Sequence, residues 1–291
     1  MLPRVSVVMT NFNKGAYLEL AIRSLLGQSL GDFELVLVDD GSTDSSSEII
    51  RGLQETDSRI RLLEHPRNLG PAAARNTGVR ETTSTLVTFM DSDDLFSRDR
   101  LQRLVDLAAN NPTPSPIYSD PVYIDSKATT VSTSPSDSAF RPSGMILSYL
   151  LSGAFRFHGG LITAKKICFE EVGKFDETLT WGEDFEMCLR LAASYPITYD
   201  GVSTYGYRIY DQNTLNRISK KKRWSVQGQI LEKHLRMNMG ALDSESVKRS
   251  FDYLFSCYVA SGQWSKILRY GFTRKEGFES MVGLPIRALR R

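Results

Sequence analysis

The chain has 291 residues, of which 41% are hydrophobic and 24% are charged, and its formal net charge is +2. These values are ordinary for a globular protein. No run of about 18 apolar residues occurs, so we expect no transmembrane helix, and the N-terminus lacks the design of a signal peptide. Three widely spaced cysteines with apolar neighbours indicate buried thiols rather than a disulfide framework or a zinc site, and favour a cytoplasmic protein.

The charge is unevenly distributed along the chain. Residues 217–291 contain 16 Lys and Arg against 6 Asp and Glu, a net charge of +10, which leaves −8 for the remainder. A basic appendage beside an acidic main domain could approach anionic lipid headgroups or an anionic polymer, and a solvated helical surface is an equal alternative. We expect a main domain over residues 1–215 and a basic helical appendage over residues 216–291.

Strand and helix patterns alternate through the first hundred residues. Short apolar runs at Val5–Met9, Phe33–Val38 and Leu86–Met90 predict buried strands, and apolar residues at helical spacing follow each of them. This alternation is typical of βαβ units in a mostly parallel, doubly wound sheet. The predicted fold class is therefore α/β.

Polar residues follow each of these strands, at Thr10–Asn13, Asp39–Asp44 and Asp91–Asp94. We expect the three stretches along one edge of the sheet, in the crevice where open α/β sheets bind ligands. No Gly-x-Gly-x-x-Gly follows the first strand and no Walker A loop is present. An ordinary dinucleotide fingerprint and a P-loop nucleotidase are therefore not predicted.

The stretch after the third run contains three carboxylates within four residues. Asp91 and Asp93 point the same way if the chain is extended, and they would repel each other unless a cation or a proton intervened. A Mg²⁺ or Mn²⁺ ion that bridges to a diphosphate would relieve this repulsion. The alternative is an acidic loop in which Asp94 or Ser97 merely caps the helix that follows.

A second acidic stretch follows Trp181. Glu183 and Asp184 fall in the predicted first turn of a helix, where the helix dipole stabilises negative charge, so a structural role is one interpretation. The functional interpretation is that one of them is a general base and that Trp181 forms an apolar wall or a sugar-stacking platform. The residues alone do not separate these interpretations.

Taken together, the chain resembles the family 2 glycosyltransferases, which are inverting enzymes of the GT-A fold, over roughly residues 3–215. Six motifs stand in the order and approximate spacing of that family. They are Ser6–Asn13, Val38–Asp44, Asn68–Gly70 with Ala74–Gly78, Asp91–Asp94, Gly173–Glu177, and Glu183–Asp184 with Leu189–Leu191.

The resemblance implies a site for a nucleotide-activated sugar. Thr10, Phe12 and Asp40 would hold the nucleotide base, with Asp40 accepting a hydrogen bond from a ring nitrogen. Arg75 would reach the base or the diphosphate.

The same resemblance assigns the acidic residues. Asp91, next to Ser92, would touch the ribose or the sugar, and Asp93 would ligate Mn²⁺ or Mg²⁺. Asp184 would be the catalytic base, with Glu183 and Trp181 as further acceptor or sugar contacts. The family tends to show a His soon after Tyr-Arg, and the stretch Tyr207–Asp211 lacks it. Water or Asp211 would then supply the third metal contact.

These implications predict an inverting, metal-dependent glycosyltransferase. It would use a UDP-linked donor and a glycan or lipid-linked acceptor in polysaccharide or surface glycan biosynthesis, without nucleic acid as a partner. A non-catalytic protein of this fold that binds nucleotide-sugar or a partner is the alternative. A nucleotidyltransferase would bring a Gly- and Lys/Arg-rich loop after the first strand, where only Lys14 stands. The basic C-terminus would form helices and a tail that is either frayed or lies on the cytoplasmic face of a membrane.

Overall fold

The structure is a computed structural model that describes residues 2–111, 113–133, 140–158, 161–211 and 218–267. The chain divides into two compact units. The first comprises residues 1–145 and 157–211, and the second comprises residues 146–156 and 212–291. The predicted division between residues 215 and 216 lies outside the described residues.

All strands of the described chain lie in the first unit. They are β1 (Val5–Asn11), β2 (Phe33–Asp39), β3 (Ile60–Glu64), β4 (Leu86–Asp91), β5 (Leu95–Phe96), β6 (Ile117–Tyr118), β7 (Pro121–Ile124), β8 (Thr130–Thr133), β9 (Thr163–Lys165), β10 (Thr198–Tyr199) and β11 (Tyr205–Arg208).

Among the described residues, six α-helices lie in the first unit and three in the second. They are α1 (Gly15–Leu26), α2 (Ser46–Gln54), α3 (Pro71–Glu81), α4 (Arg100–Asn110), α5 (Leu147–Leu151), α6 (Lys166–Val172), α7 (Glu183–Ser194), α8 (Lys220–Asn238) and α9 (Ser244–Ser261).

The larger sheet has seven strands in the order β10-β6-β9-β4-β1-β2-β3. Strands β4, β1, β2 and β3 run parallel, and β9 is antiparallel to both of its neighbours, β4 and β6. The α/β prediction with a mostly parallel sheet is confirmed. Because β1, β2 and β4 are neighbours, their carboxyl ends meet at one edge.

A smaller sheet has the order β5-β11-β7-β8. Strand β5 follows the acidic stretch directly, and it pairs antiparallel with β11. This pairing carries Tyr205 and Arg208 to the acidic end of β4, although they are more than one hundred residues away in sequence.

Helix α3 packs against β1 and β2 through small side chains. Ala72, Ala73 and Ala74 are buried, and a Cβ added at Gly78 would come within 2.3 Å of Val8 Cγ1. Only a hydrogen at position 78 permits this approach of helix and sheet.

Replacing Gly78 by Ala should therefore destabilise the first unit. We expect Gly78→Ala to lower the free energy of unfolding by about 1–3 kcal/mol, because the methyl group overpacks a buried contact. The matched control is Gly52→Ala in α2, where an added Cβ meets nothing within 4 Å. That change should stabilise the protein by about 0.5–1 kcal/mol. Thermal unfolding of both variants checks the prediction, which fails if their melting temperatures shift equally.

The described part of the second unit is helical, as the sequence predicts. Leu231 and Leu235 of α8 and Leu254 and Tyr258 of α9 are buried, and these two helices pack against each other. A Cβ at Gly228 would lie 2.9 Å from the Tyr258 ring, so this crossing is also close. Among the described residues, no helix has the length and apolar character needed to cross a membrane.

Candidate active site

The carboxyl ends of β1, β2 and β4 bring the polar stretches together. Thr10 stands opposite Val38 of β2 on one side and opposite Asp91 of β4 on the other. Phe12 follows β1 with 38% of its surface exposed, so an aromatic face lies open beside the polar edge. The polar stretches after the three strands thus meet at one edge, as the sequence predicts.

Hydrogen bonds join the loops after β1 and β2. The buried carboxylate of Asp39 accepts from Asn11 Nδ2 at 2.7 Å and from Ser42 Oγ at 2.6 Å. Asn13, which has a positive φ of 53°, receives the Thr43 N–H at its side-chain oxygen at 2.8 Å. The Asp39 carboxylate thus holds the loops after β1 and β2 together. The neighbouring carboxylate of Asp40 accepts hydrogen bonds from other donors.

Asp40 accepts three hydrogen bonds from the described residues. They come from the backbone N–H groups of Leu69 and Gly70, at 2.9 and 2.8 Å, and from His65 Nδ1 at 2.7 Å. The other ring nitrogen of His65 lies 3.1 Å from Thr77 Oγ1. His65 and the turn before α3 therefore fix the orientation of this carboxylate.

Asp94 does not cap the helix that follows it. Helix α4 begins at Arg100 without a side-chain cap, so the capping role considered for Asp94 or Ser97 is wrong. Asp94 instead accepts from Tyr205 Oη and from the Arg208 N–H, each at 2.7 Å. Burial raises the pKa of Asp94 well above its usual range, and the neighbouring acids raise it further.

Arg75 of α3 is buried between two carboxylates. Its guanidinium donates to Glu183 and, at 3.2 Å, to Asp91. Burial would lower the pKa of Arg75, but these carboxylates and that of Asp184 more than offset this effect and raise it. Burial raises the pKa of Glu183, Arg75 opposes the rise, and Asp184 adds to it. Arg75 thus links the end of β4 to the start of α7.

The two acids at the start of α7 differ in their surroundings. Glu183 is buried and paired with Arg75. Asp184 is half-buried, and its Oδ1 accepts a hydrogen bond from the backbone N–H of Phe185 at 2.7 Å. The other oxygen accepts no hydrogen bond from the described residues. This difference separates two acids that the sequence leaves equivalent. Trp181 lies just before them, partly exposed.

His158 completes this end of the site. Its ring lies 4.5 Å from the Tyr207 ring, centroid to centroid. Burial lowers the pKa of His158, while Asp184 and Asp91 oppose that shift. No role for this histidine follows from the sequence.

Asp93 forms a salt bridge with a lysine, a contact that the sequence does not predict. Lys14 Nζ lies 2.5 Å from Asp93 Oδ2, and the Tyr210 hydroxyl donates to the same oxygen at 2.6 Å. Tyr210 is the second residue after Arg208, in the stretch that lacks the family's histidine. Ser92, next to Asp93, is buried.

The carboxylate oxygens of Asp91 and Asp93 are suitable ligands for a hard divalent ion. No group of three His, Cys, Asp or Glu residues that could hold a metal forms within the described chain. Mg²⁺, however, is usually held by one or two carboxylates together with water and substrate phosphates. Among the described residues, Asp91 Oδ2 and Asp93 Oδ1 accept no hydrogen bond, since the contacts of both groups use the other oxygen.

Comparisons with known proteins agree with this geometry. The family model of glycosyl transferase family 2 matches residues 6–162. An uncharacterized glycosyltransferase of Haemophilus influenzae is 42% identical over 110 residues, which are 38% of this chain and 44% of that protein. Uncharacterized glycosyltransferase MJ1057 of Methanocaldococcus jannaschii is 29% identical over 229 residues, which are 77% of each chain. The match thus spans less than half of the Haemophilus relative.

Solved structures share the fold. Residues 1–349 of S. aureus TarS in complex with UDP superpose with a TM-score of 0.64 at 17% identity, covering 88% of this chain and 70% of that one. The mannosyltransferase PcManGT of Pyrobaculum calidifontis, in complex with GDP-Man and Mn²⁺, gives 0.62 at 21% identity, covering 99% and 85%. The fold is that of the GT-A glycosyltransferases. The family model matches more than half of the length of this chain, and the chain therefore belongs to glycosyl transferase family 2.

Proposed function

We propose that this protein is an inverting, metal-dependent glycosyltransferase. It moves a sugar from a UDP-linked donor to a hydroxyl of a glycan or lipid-linked acceptor, in polysaccharide or surface glycan biosynthesis. One observation carries the proposal. A single sheet edge presents an exposed aromatic ring and a pair of carboxylates suited to a cation, and Arg75 links this edge to the start of α7, where a half-buried carboxylate has an available oxygen. The UDP bound by TarS and the GDP-Man and Mn²⁺ bound by PcManGT support a nucleotide-sugar donor.

The base of the donor would lie at the edge formed by β1 and β2. A carboxylate has about four acceptor sites, and three hydrogen bonds occupy those of Asp40. The remaining site suits the ring N–H of uracil, which is a donor. Phe12 would supply the apolar face on which the ring packs, and Thr10 would flank it.

The diphosphate would lie over the end of β4. Asp93, with Asp91 beside it, would hold the divalent ion. A bound Mn²⁺ or Mg²⁺ supplies Lewis-acid neutralisation of the leaving diphosphate. Asp91 would face the ribose or the sugar, and its position is fixed by Arg75. Ser92 supports this turn from a buried position.

Asp184 would act as the general base. It takes the proton of the acceptor hydroxyl, whose oxygen then attacks the anomeric carbon as the bond from that carbon to the diphosphate oxygen breaks. Attack opposite the leaving group inverts the configuration, and no second nucleophilic carboxylate is needed. Glu183 is tied to Arg75, which favours Asp184 for this role. Trp181 and Glu183 lie within three positions of Asp184 in the sequence, and they would contact the acceptor or the sugar.

Residues 1–215 would form the catalytic domain, and residues 216–291 would form the basic appendage. Lys220, Lys221 and Lys222 at the start of α8 are exposed, and Trp264 has 73% of its surface exposed. Exposed lysines and an aromatic side chain suit an anionic headgroup layer. We place the protein in the cytoplasm, in peripheral contact with the membrane. The free, buried cysteines agree with a reducing compartment.

A donor panel tests this proposal. Binding and slow hydrolysis of UDP- and GDP-sugars would be measured by calorimetry and nucleotide release, with Mn²⁺, Mg²⁺ or EDTA. We expect one UDP-sugar to bind in a metal-dependent way and to release UDP slowly. Asp93→Ala removes the proposed metal ligand, so donor binding by this variant should no longer depend on the metal. Asp106→Ala, at an exposed position of α4, is the control and should behave like the wild type.

Two results would contradict the proposal in different ways. Binding that is unaffected by EDTA and by Asp93→Ala would refute the metal assignment. Failure to bind any nucleotide-sugar would favour the non-catalytic alternative, a partner-binding protein of this fold.

A further inference from the structure

Lys14 holds a position that the proposed reaction leaves unexplained. It immediately precedes α1, and its ammonium contacts Asp93 Oδ2 and the Tyr210 hydroxyl. The same ammonium lies 5.0 Å from the centroid of the Tyr210 ring. The side chains of Lys14 and Asp93 are only 20% and 14% exposed, so this pair is partly shielded from water.

Aromatic side chains hold this arrangement in place. The Tyr17 ring on α1 lies 4.8 Å from the Tyr210 ring, and the Arg208 guanidinium lies 4.8 Å from the Tyr17 ring. Tyr210 accepts from Lys14 and donates to Asp93, so it bridges the two. The loop before α1, the end of β4 and the segment after β11 therefore meet at one carboxylate.

A divalent ion and Lys14 would compete for this carboxylate. An ammonium 2.5 Å from Asp93 Oδ2 neutralises the charge that attracts a metal, and it repels any second cation bound to the same group. Lysine is nevertheless a compact point charge on a flexible four-carbon stem, and it binds phosphates as such. It can therefore leave Asp93 for a nearby anion without a change in the backbone.

We propose that Lys14 and the divalent ion exchange at Asp93. Without donor, Lys14 is the counter-ion of Asp93. When the ion and the donor bind, the ion takes Asp93 and the Lys14 ammonium moves to the donor diphosphate, where the N-terminal end of α1 also favours negative charge. This inference rests on the proposed metal-dependent function, and it assigns Lys14 as a diphosphate-binding residue and Tyr210 as its positioning residue.

Binding of Mn²⁺ alone tests the first half of the exchange. Mn²⁺ would be titrated into the full chain, with the free ion followed by electron paramagnetic resonance. We expect Lys14→Met to bind Mn²⁺ about tenfold more tightly than the wild type, since a competing unit charge is removed. The matched control is Lys248→Met, at an exposed position of α9, which should leave the affinity unchanged.

Binding of UDP at saturating Mn²⁺ tests the second half. Here Lys14→Met should bind about tenfold more weakly than the wild type, because the diphosphate loses a cation. The same substitution thus shifts the two affinities in opposite directions. Lys14→Gln keeps an amide donor for Asp93 without the charge and should give the same two signs, which keeps the test open if Lys14→Met folds poorly.

The outcomes separate the exchange from the proposed function. Equal Mn²⁺ affinity in the wild type and both Lys14 variants would overturn the exchange while leaving the metal site intact. Tighter Mn²⁺ binding with unchanged UDP binding would overturn the move of Lys14 to the diphosphate. No Mn²⁺ binding to any of these proteins, either with or without UDP, would overturn both the exchange and the metal assignment.

Discussion

Asp184→Asn is expected to lower the rate of sugar transfer by about 10²–10⁴-fold, the usual contribution of a general base. Asparagine has nearly the same shape and can still accept the Phe185 N–H, but it cannot take a proton from the acceptor hydroxyl. Binding of the donor should be unchanged, because in the proposed mechanism Asp184 acts on the acceptor. Nucleotide release in the presence of acceptor and calorimetric binding of the donor check the two parts separately.

The control for this variant is Asp106→Asn on the exposed face of α4, which should retain full turnover. A rate for Asp184→Asn equal to that of this control would assign the base to another group. If neither the wild type nor the variant turns over any donor that it binds, the result would favour the non-catalytic alternative over the enzyme.

Much of this site follows from the sequence because it depends on strand order. The apolar runs that become β1, β2 and β4 identify parallel strands, and parallel strands bring their carboxyl ends to one edge. Thr10 and Asp91 therefore could be predicted to meet, and in the structure they are register partners. Local periodicity suffices for this part, since each element is specified by a few consecutive residues.

The partners of the acids could not be predicted in the same way. Lys14 and Asp93 are 79 positions apart, and Tyr210 is a further 117 positions from Asp93. No periodicity relates such residues. Lys14 follows β1 and Asp93 follows β4, which are neighbouring strands, but Tyr210 reaches them only because β11 pairs with β5. The contact of His65 with Asp40 likewise depends on the path of the loop between β3 and α3.

The different surroundings of Glu183 and Asp184 also could not be predicted from the sequence. Both acids occupy the first turn of α7, where either could serve the dipole or the chemistry. What separates them is a guanidinium from another helix, which approaches Glu183. The sequence contains Arg75, and its resemblance to the family implies a contact with the base or the diphosphate. In the structure its guanidinium lies between two carboxylates, and its contact with the base or the diphosphate stays a prediction.

Arg75→Met is expected to lower the free energy of unfolding by about 3–5 kcal/mol, the cost of leaving a buried charge without its partner. Methionine keeps much of the side-chain volume, so the loss would come from Glu183 and Asp91 rather than from a cavity. Adding Glu183→Gln to the variant should restore part of the stability, since it removes the uncompensated buried charge. A double-mutant cycle from urea unfolding, followed by tryptophan fluorescence, measures this coupling.

Arg80→Met on the same helix is the matched control. Arg80 is 63% exposed and pairs only with its neighbour Glu81 in the described chain, so its loss should change stability by no more than about 0.5 kcal/mol. If Arg75→Met is as stable as Arg80→Met but binds the donor more weakly, then Arg75 contacts the nucleotide or the diphosphate directly. If it is destabilised and the double variant recovers, Arg75 is a positioning residue, because its buried charge holds Asp91 of β4 and Glu183 of α7 around the candidate base.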